Sequence, residues 1–532
     1  MAEGGCAAYN VHKKCTIPFL LCSLLVAQQP PFILVVPGLP AVLKNSPTAE
    51  RHQIETMPGG VAIFDFDNDG KPDIFLVNGD GSHPNKLYRN LGNWKFADVT
   101  DRAGLSGRGY GMGVAAGDFD NDGFTDLLVT GVGFSTLYRN RGDGTFEDVT
   151  LKAGIPQTAW PVSAGWFDFD NDGHLDLFIV NYCKWDPVKE PFCGDLKAGY
   201  RTYCHPKNYE GLPNVLLRNN GNGKFTDVSK ISGIGARIGK GMGVAFADYN
   251  NDGRMDVFIT NDTIPNFLFR NEGGGKFTEV GMEAGVAIND DGKILSSMGA
   301  DFRDIDNDGR PDLFITALAN ETFPLFRNLA KGLFQDLTYR SRIGPATLPH
   351  SGWGTGIFDF DNDGWKDIFA ANGDVNDNTE LFSSRASKQQ NQLLMNKGDG
   401  TFDSVLIAGR AQHRGVAFGD LDGDGRIDAV VTRLGETPVL YRNTMGAERH
   451  WLRLQLRGTK SNRDAIGAVV RVGTQVNHVT TAVGYLGSSE KTVHFGMGSA
   501  LEAETVEIAW PSGGKTVLKN VKTDQLLRIT EP

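Results

Sequence analysis

One nine-residue phrase, Asp-x-Asp-Asn-Asp-Gly-x-x-Asp with small departures, recurs seven times, beginning at Asp65, Asp118, Asp168, Asp248, Asp304, Asp359 and Asp420. The starts lie 53, 50, 80, 56, 55 and 61 residues apart, which points to a repeat architecture with one loop per unit. In the first copy carboxylates stand at Asp65, Asp67, Asp69 and Asp73, and Gly70 allows the chain to turn back around one point. The same four positions are Asp118, Asp120, Asp122 and Asp126 in the second copy, and Asp168, Asp170, Asp172 and Asp176 in the third. The fourth has Asp248, Asn250, Asp252 and Asp256, and the fifth Asp304, Asp306, Asp308 and Asp312. The last two have Asp359, Asp361, Asp363 and Asp367, then Asp420, Asp422, Asp424 and Asp428.

Four converging carboxylates repel one another unless a cation sits between them. Calcium takes roughly 6–8 oxygens in flexible geometry, whereas magnesium demands a rigid octahedron and keeps its waters. Side chains at positions 1, 3, 5 and 9 plus one backbone carbonyl suit calcium, so up to seven Ca²⁺ are expected. Asn250 removes one charge from the fourth loop and predicts its weakest site. These are not EF-hands, which need a longer loop ending in Glu between two helices. Here each loop joins short β-prone runs, such as Val61-Ala62-Ile63-Phe64 and Ile74-Phe75-Leu76-Val77.

Two further strand signals recur in each unit. One is Leu-Tyr-Arg-Asn at 87–90 and 137–140, with variants at 216–219, 268–271, 325–328, 393–396 and 440–443. The other is a Phe-led strand after a Gly turn, as at Phe146, with copies from Phe96, Phe225, Phe277, Phe334 and Phe402. Four short strands per unit and seven units predict an all-β, seven-bladed β-propeller with calcium-binding hairpin loops. Together these signals resemble the FG-GAP/VCBS repeats of integrin α-subunit heads, over about 57–443. That resemblance implies a calcium-stapled propeller in an extracytoplasmic setting, with loop positions 1, 3, 5 and 9 as side-chain ligands.

Beyond about residue 449 the Asp loops stop. The runs His450–Gly458, Ser461–Val470, Val493–Gly498 and Val506–Gly514 resemble, in order, the ASPIC/UnbV domain. The whole arrangement is similar to bacterial relatives of cartilage acidic protein, a likeness that carries architecture and location but no chemistry. Its stretch 473–491 reads as a trimmed hairpin. The expected organisation is a signal peptide at 1–27, a linker at 28–49, the propeller at 50–448 with an insertion at 182–213, and a small C-terminal β domain at 449–532. The seventh unit lacks a Phe-led strand, so its ring must be closed from elsewhere. Either 50–56 or the first C-terminal strand can do so, and 50–56 is the expected one.

The formal charge of −11 is mostly ligand acidity; seven Ca²⁺ would carry it to about +3. No basic stripe interleaved with aromatics appears, so no nucleic-acid partner is expected. Lys13-Lys14 precedes an apolar run over 15–27, which suits a secretory signal and is too short to span a bilayer. The expected location is secreted, periplasmic or cell-surface. Cys183, Cys193 and Cys204 lie in or beside the insertion; Cys193–Cys204 is the expected disulfide, with Cys183 buried at a strand end. No nucleophile elbow, metalloprotease helix, phosphate loop or dinucleotide fingerprint occurs. His350 is a loop histidine that could line a propeller face, and Trp160, Trp166, Trp185 and Trp353 are expected to pack in blade cores. The leading expectation is a non-enzymatic, adhesion-type protein that binds a protein or glycan, with 182–213 as its surface. The alternative is an exported enzyme acting on polysaccharide or a secondary metabolite.

Overall fold

The computed structural model describes Met1, 31–35 and 38–532; the expected signal at 1–27 lies outside the described residues except for Met1. Seven four-stranded antiparallel units follow one another. The first runs Val61–Phe64, Asp73–Leu76, Lys86–Asn90 and Phe96–Asp98. In each, the innermost strand stops one residue before the Asp loop, and the loop's ninth residue opens the second strand. The pairs Phe64↔Asp73, Gly117↔Asp126, Phe167↔Asp176, Ala247↔Asp256, Arg303↔Asp312, Phe358↔Asp367 and Gly419↔Asp428 fix that register. All seven loops therefore emerge on the same side of their sheets.

The inner strands neighbour one another in chain order, and Val61–Phe64 returns to touch His413–Gly419, so the ring closes as a β-propeller. What brings them so close is a glycine near the start of six inner strands. A Cβ at Gly60, Gly113, Gly243, Gly299, Gly354 or Gly415 would stand 2.1–2.8 Å from a carbonyl oxygen of the next blade. The third blade has Ser163 instead, whose hydroxyl donates to that carbonyl, Met242 O, at 2.5 Å.

Ring closure differs from the expectation. The outer strand of the seventh blade is Phe32–Leu34, paired antiparallel with Val439–Asn443, inside the segment read as a linker. Phe32 is buried against Phe360, Phe369 and Tyr441. The segment expected to close the ring is instead a buried 3₁₀ turn, Gln53–Thr56. Its only large apolar residue is Ile54, too little for a strand that must cover a blade, whereas Phe32-Ile33-Leu34 is strongly β-prone.

The C-terminal chain forms two sheets, one of three strands around His450–Arg457 and one of four around Val469–Val472 and Glu502–Ala509. Its core is continuous with the second and third blades: Leu454, Val470 and Val506 share one cluster with Phe119, Trp166 and Leu177. The stretch read as a trimmed hairpin is a plug. Residues 479–489 are buried throughout and enter the propeller channel. Gly487–Ser488 adds a parallel strand beside Val61–Ala62. Gly484 N–H donates to Ala300 O at 2.9 Å, Ala116 N–H to Ser488 Oγ at 3.0 Å and Phe418 N–H to Ser489 Oγ at 3.1 Å. Inner strand edges in a channel carry backbone groups that need partners, and the plug supplies them. Gly484 has φ +77°, and a Cβ there would meet Thr355 O at 2.4 Å, so the plug passes only with glycine at that point.

Candidate metal loops and the opposite face

Each loop's first carboxylate is organised by the loop's own backbone. Asp65 accepts from Asp69 N–H at 3.1 Å and Gly70 N–H at 2.8 Å, and the first Asp of every other loop is held in the same way. The ninth carboxylate is a buried brace. Asp73 accepts from Phe66 N–H at 3.0 Å and Asn90 N–H at 2.7 Å. Asp126, Asp176, Asp256, Asp312, Asp367 and Asp428 repeat both bonds.

Burial and mutual repulsion hold these acids toward their neutral forms. Desolvation raises Asp73, Asp256 and Asp359 to about 8, Asp118 and Asp168 to about 7, and Asp304 to about 6. It pushes Asp126, Asp176, Asp312, Asp367 and Asp428 well above the ordinary carboxylate range. A group in this state gains by meeting a cation.

The donor set fits one. Carboxylate oxygens lie within 4.8 Å of one another in Asp65/Asp67/Asp73, Asp118/Asp120/Asp122, Asp168/Asp170/Asp176, Asp304/Asp306/Asp308 and Asp359/Asp361/Asp367. At the third position Asp67, Asp170 and Asp422 each keep one buried oxygen without a hydrogen-bond partner, an acceptor that a hard cation would satisfy. In the fourth loop Asn250 Nδ2 donates to Asp252 at 3.0 Å, so its amide takes a bond where a carboxylate would ligate.

Sequence reasoning treated Leu-Tyr-Arg-Asn only as a strand, and missed two roles. Its Arg clamps loop positions 3 and 5. Arg89 contacts Asp67 at 2.6 Å and Asp69 at 3.1 Å, and Arg139, Arg218, Arg327 and Arg442 repeat the pairing. In the sixth blade Met395 occupies this place, and Arg449, from the chain beyond the seventh blade, reaches Asp361 at 2.7 Å. In the fourth, where position 3 is Asn250, Arg270 turns to Glu272 at 2.8 Å. Its Asn ties blades together. Asn140 Nδ2 donates to Phe66 O of the preceding loop at 2.8 Å, and Asn219, Asn271, Asn328, Asn396 and Asn443 do likewise. Asn90 reaches Leu421 O at 2.9 Å, from the first blade to the last. The invariance of Arg-Asn beside an acidic loop was the available signal.

The C-terminal domain covers this loop face. Arg453, 4% exposed, pairs with Asp420 at 2.7 Å and with Glu490 at 2.6 Å. Arg463 N–H donates to Asn121 Oδ1 at 2.8 Å, and Asp118 N–H to Asp464 at 2.8 Å.

The opposite face is built from chain that does not repeat. The insertion is closed by the Cys193–Cys204 disulfide, with Cys183 buried and unpaired. It leaves the third blade and reaches the sixth: Tyr203 N–H donates to Asn376 Oδ1, and Asn378 Nδ2 to Gly199 O and Arg201 O, all at 3.0 Å. Tyr203 Oη also contacts Glu55 at 3.1 Å, joining the insertion to the 3₁₀ turn. Val188 and Leu196, 91% and 89% exposed, and Phe192 project outward. Trp160, Trp166 and Trp353 are buried, and Trp185 packs against Trp160 at 6.2 Å. His350 sits in a loop with Nδ1 buried and no hydrogen-bond partner, and burial lowers its pKa; no carboxylate orients it as a catalytic base requires.

Ring, loops and staples define a β-propeller whose blades are each folded around an acidic hairpin. The family model for the FG-GAP-like repeat matches 65–129, 125–179, 207–259, 249–315, 304–370 and 359–431, more than half of the sequence, and the chain belongs to this family. The ASPIC and UnbV model matches 458–532. Human Cartilage acidic protein 1 is 28% identical over 318 residues, covering 57% of this chain and 46% of the relative. The Xenopus tropicalis protein of that name is 25% identical over 491 residues, covering 85% and 70%. The chain thus spans about half the length of the human relative. Among solved structures, an Agrocybe aegerita lectin that recognises non-reducing terminal N-acetylglucosamine is 18% identical with a TM-score of 0.39, covering 72% of this chain and 87% of that one. The Aleuria aurantia lectin is 11% identical with a TM-score of 0.33, covering 66% and 95%. Among the described residues, no helix is long and apolar enough to cross a membrane.

Proposed function

We propose that the chain is an exported, calcium-stapled, non-enzymatic binding protein that presents the non-repeating face of its propeller to a protein or glycan ligand. The observation that carries the calcium reading is the set of converging, desolvated carboxylates, three of which retain a buried oxygen without a partner at loop position 3. Calcium would hold positions 1, 3, 5 and 9 of each loop, the Arg clamps balancing residual charge. Binding to the native state alone stabilises it by about 2.7 kcal/mol per site at a hundredfold excess over Kd.

The loop face is occupied by the C-terminal domain, which leaves the face carrying 182–213 for a ligand. Its outward Val188, Phe192 and Leu196 on a disulfide-closed loop suit a macromolecular partner. Export accords with that disulfide and with the apolar run over 15–27, which lies outside the described residues.

The test joins calcium titration by calorimetry to capture on glycan and extracellular-protein arrays. We expect several Ca²⁺ per chain, and capture that is lost when Val188, Phe192 and Leu196 are together replaced by Ser. An array signal unmoved by that triple change would place the ligand elsewhere, and a chain that takes up no Ca²⁺ would end the calcium reading.

A further inference from the structure

Under the insertion, at the mouth of the channel, lies a cavity of about 180 Å³. Its wall collects the ends of elements that point away from the Asp loops. Met242, Met298 and Trp353 begin the inner strands of the fourth, fifth and sixth blades, Met57 follows the 3₁₀ turn, and Tyr203 comes from the insertion. All five are buried. The lining is thus mostly thioether and aromatic, with one carboxylate, Asp262, directly after the second strand of the fourth blade.

Asp262 is 3% exposed and makes no ion pair among the described residues within 4.0 Å. Tyr182 Oη donates to its Oδ2 at 2.7 Å, while Oδ1 is buried without a hydrogen-bond partner. Gln53, 4% exposed, lines the same cavity and holds Oε1 buried without a partner. Lys240, the nearest basic side chain by its electrostatic influence on Asp262, spends its ammonium on Pro206 O at 2.7 Å. Buried polar atoms of native proteins are nearly always satisfied, and an unpaired buried carboxylate costs several kcal/mol. Both orphans are acceptors, so the missing partner is a donor, and the carboxylate favours a positive one.

We propose that this cavity is a binding site for a primary ammonium group carried on a short aliphatic stem. The ammonium would donate to Asp262 Oδ1 and Gln53 Oε1, and its stem would lie against Met242, Met298 and Trp353. The three donors of an ammonium match two convergent acceptors, and soft thioether walls adapt to an unbranched chain. Two sources share this chemistry: a free alkylamine, or a lysine side chain of a bound protein. The inference rests on the reading that this face receives the ligand, and it names what the centre of that face recognises.

The test uses the full chain in Ca²⁺ and calorimetry with n-butylammonium, n-butanol and Nα-acetyl-lysine amide. We expect n-butylammonium or acetyl-lysine amide to bind and n-butanol not to. Tight binding of the free amine assigns the site to small amines, and binding of acetyl-lysine amide alone assigns it to a lysine of a partner. Asp262→Asn keeps an acceptor for Tyr182 and should weaken ammonium binding about tenfold or more. Gln53→Met, which removes only Oε1, should weaken it less and serves if Asp262→Asn does not fold. Equal binding of butanol and butylammonium, no binding of any probe, or unchanged affinity in both variants would overturn the proposal. Array capture without ammonium binding would remove this site yet leave the assigned binding face standing.

Discussion

The two faces of the ring are made by different kinds of sequence. One is written seven times over: an Asp loop, an Arg clamp and an Asn tie per blade, roofed by a domain that sends its own plug down the channel. The other is written once, from the Gln53–Thr56 turn, the disulfide-closed insertion and the loop around Asn376. The repeated face satisfies its polar groups internally, apart from oxygens aimed at a cation. The unrepeated face keeps Asp262 and Gln53 oxygens unpaired around a cavity and leaves large apolar side chains outside. Repetition in this fold serves closure and stability, and departures from the repeat are where recognition can be placed.

The sharpest way to break that contrast is chelation. Excess EDTA should lower the melting temperature by about 10 °C or more, because several sites act together by mass action; an unshifted calorimetric transition would mean the loops are only polar turns. Next comes the plug, which couples the faces. Tyr485 is fully buried, donates to Met57 O at 3.0 Å and packs on Trp353 at 5.2 Å. Tyr485→Ala should cost about 3–5 kcal/mol in urea unfolding, and a near-neutral result would show the channel stable without its filler. Asn90→Ala strips the tie from first blade to last and leaves Leu421 O and Pro72 O short of a donor, for about 1–3 kcal/mol; loss of the same size in Asn219→Ala would mean that the closing joint is no weaker than the others. The mildest change is Asn250→Asp. It should tighten calcium at the fourth loop about tenfold with little change in melting temperature, and a calcium titration identical to that of the parent would remove that loop from the set.

Legibility followed the repeat. The Asp ligands, the hairpin flanks and the all-β fold are readable because the same residues recur at fixed offsets, and recurrence averages out local accident. Asn90 and Arg89 recur as faithfully, but their partners are far in sequence, Leu421 and Asp67 among them, so the residues were visible and their roles were not. Events that occur once were harder. Phe32–Leu34 closes the ring because its pairing partner is more than 400 positions away, and local propensity cannot choose between remote edges. The stretch 473–491 looked merely short because its strand-like pairing is with another domain.

Alone, the sequence determined the repeat, the loop chemistry and the covalent possibilities for three cysteines. These rest on local turn geometry and side-chain type, which act over a few residues. Tertiary structure alone decided which strand closes the ring, that the C-terminal domain fills the channel, and that Asp262, Gln53 and Trp353 share one cavity. Those outcomes depend on which distant backbone edges and buried acceptors find partners when the core closes.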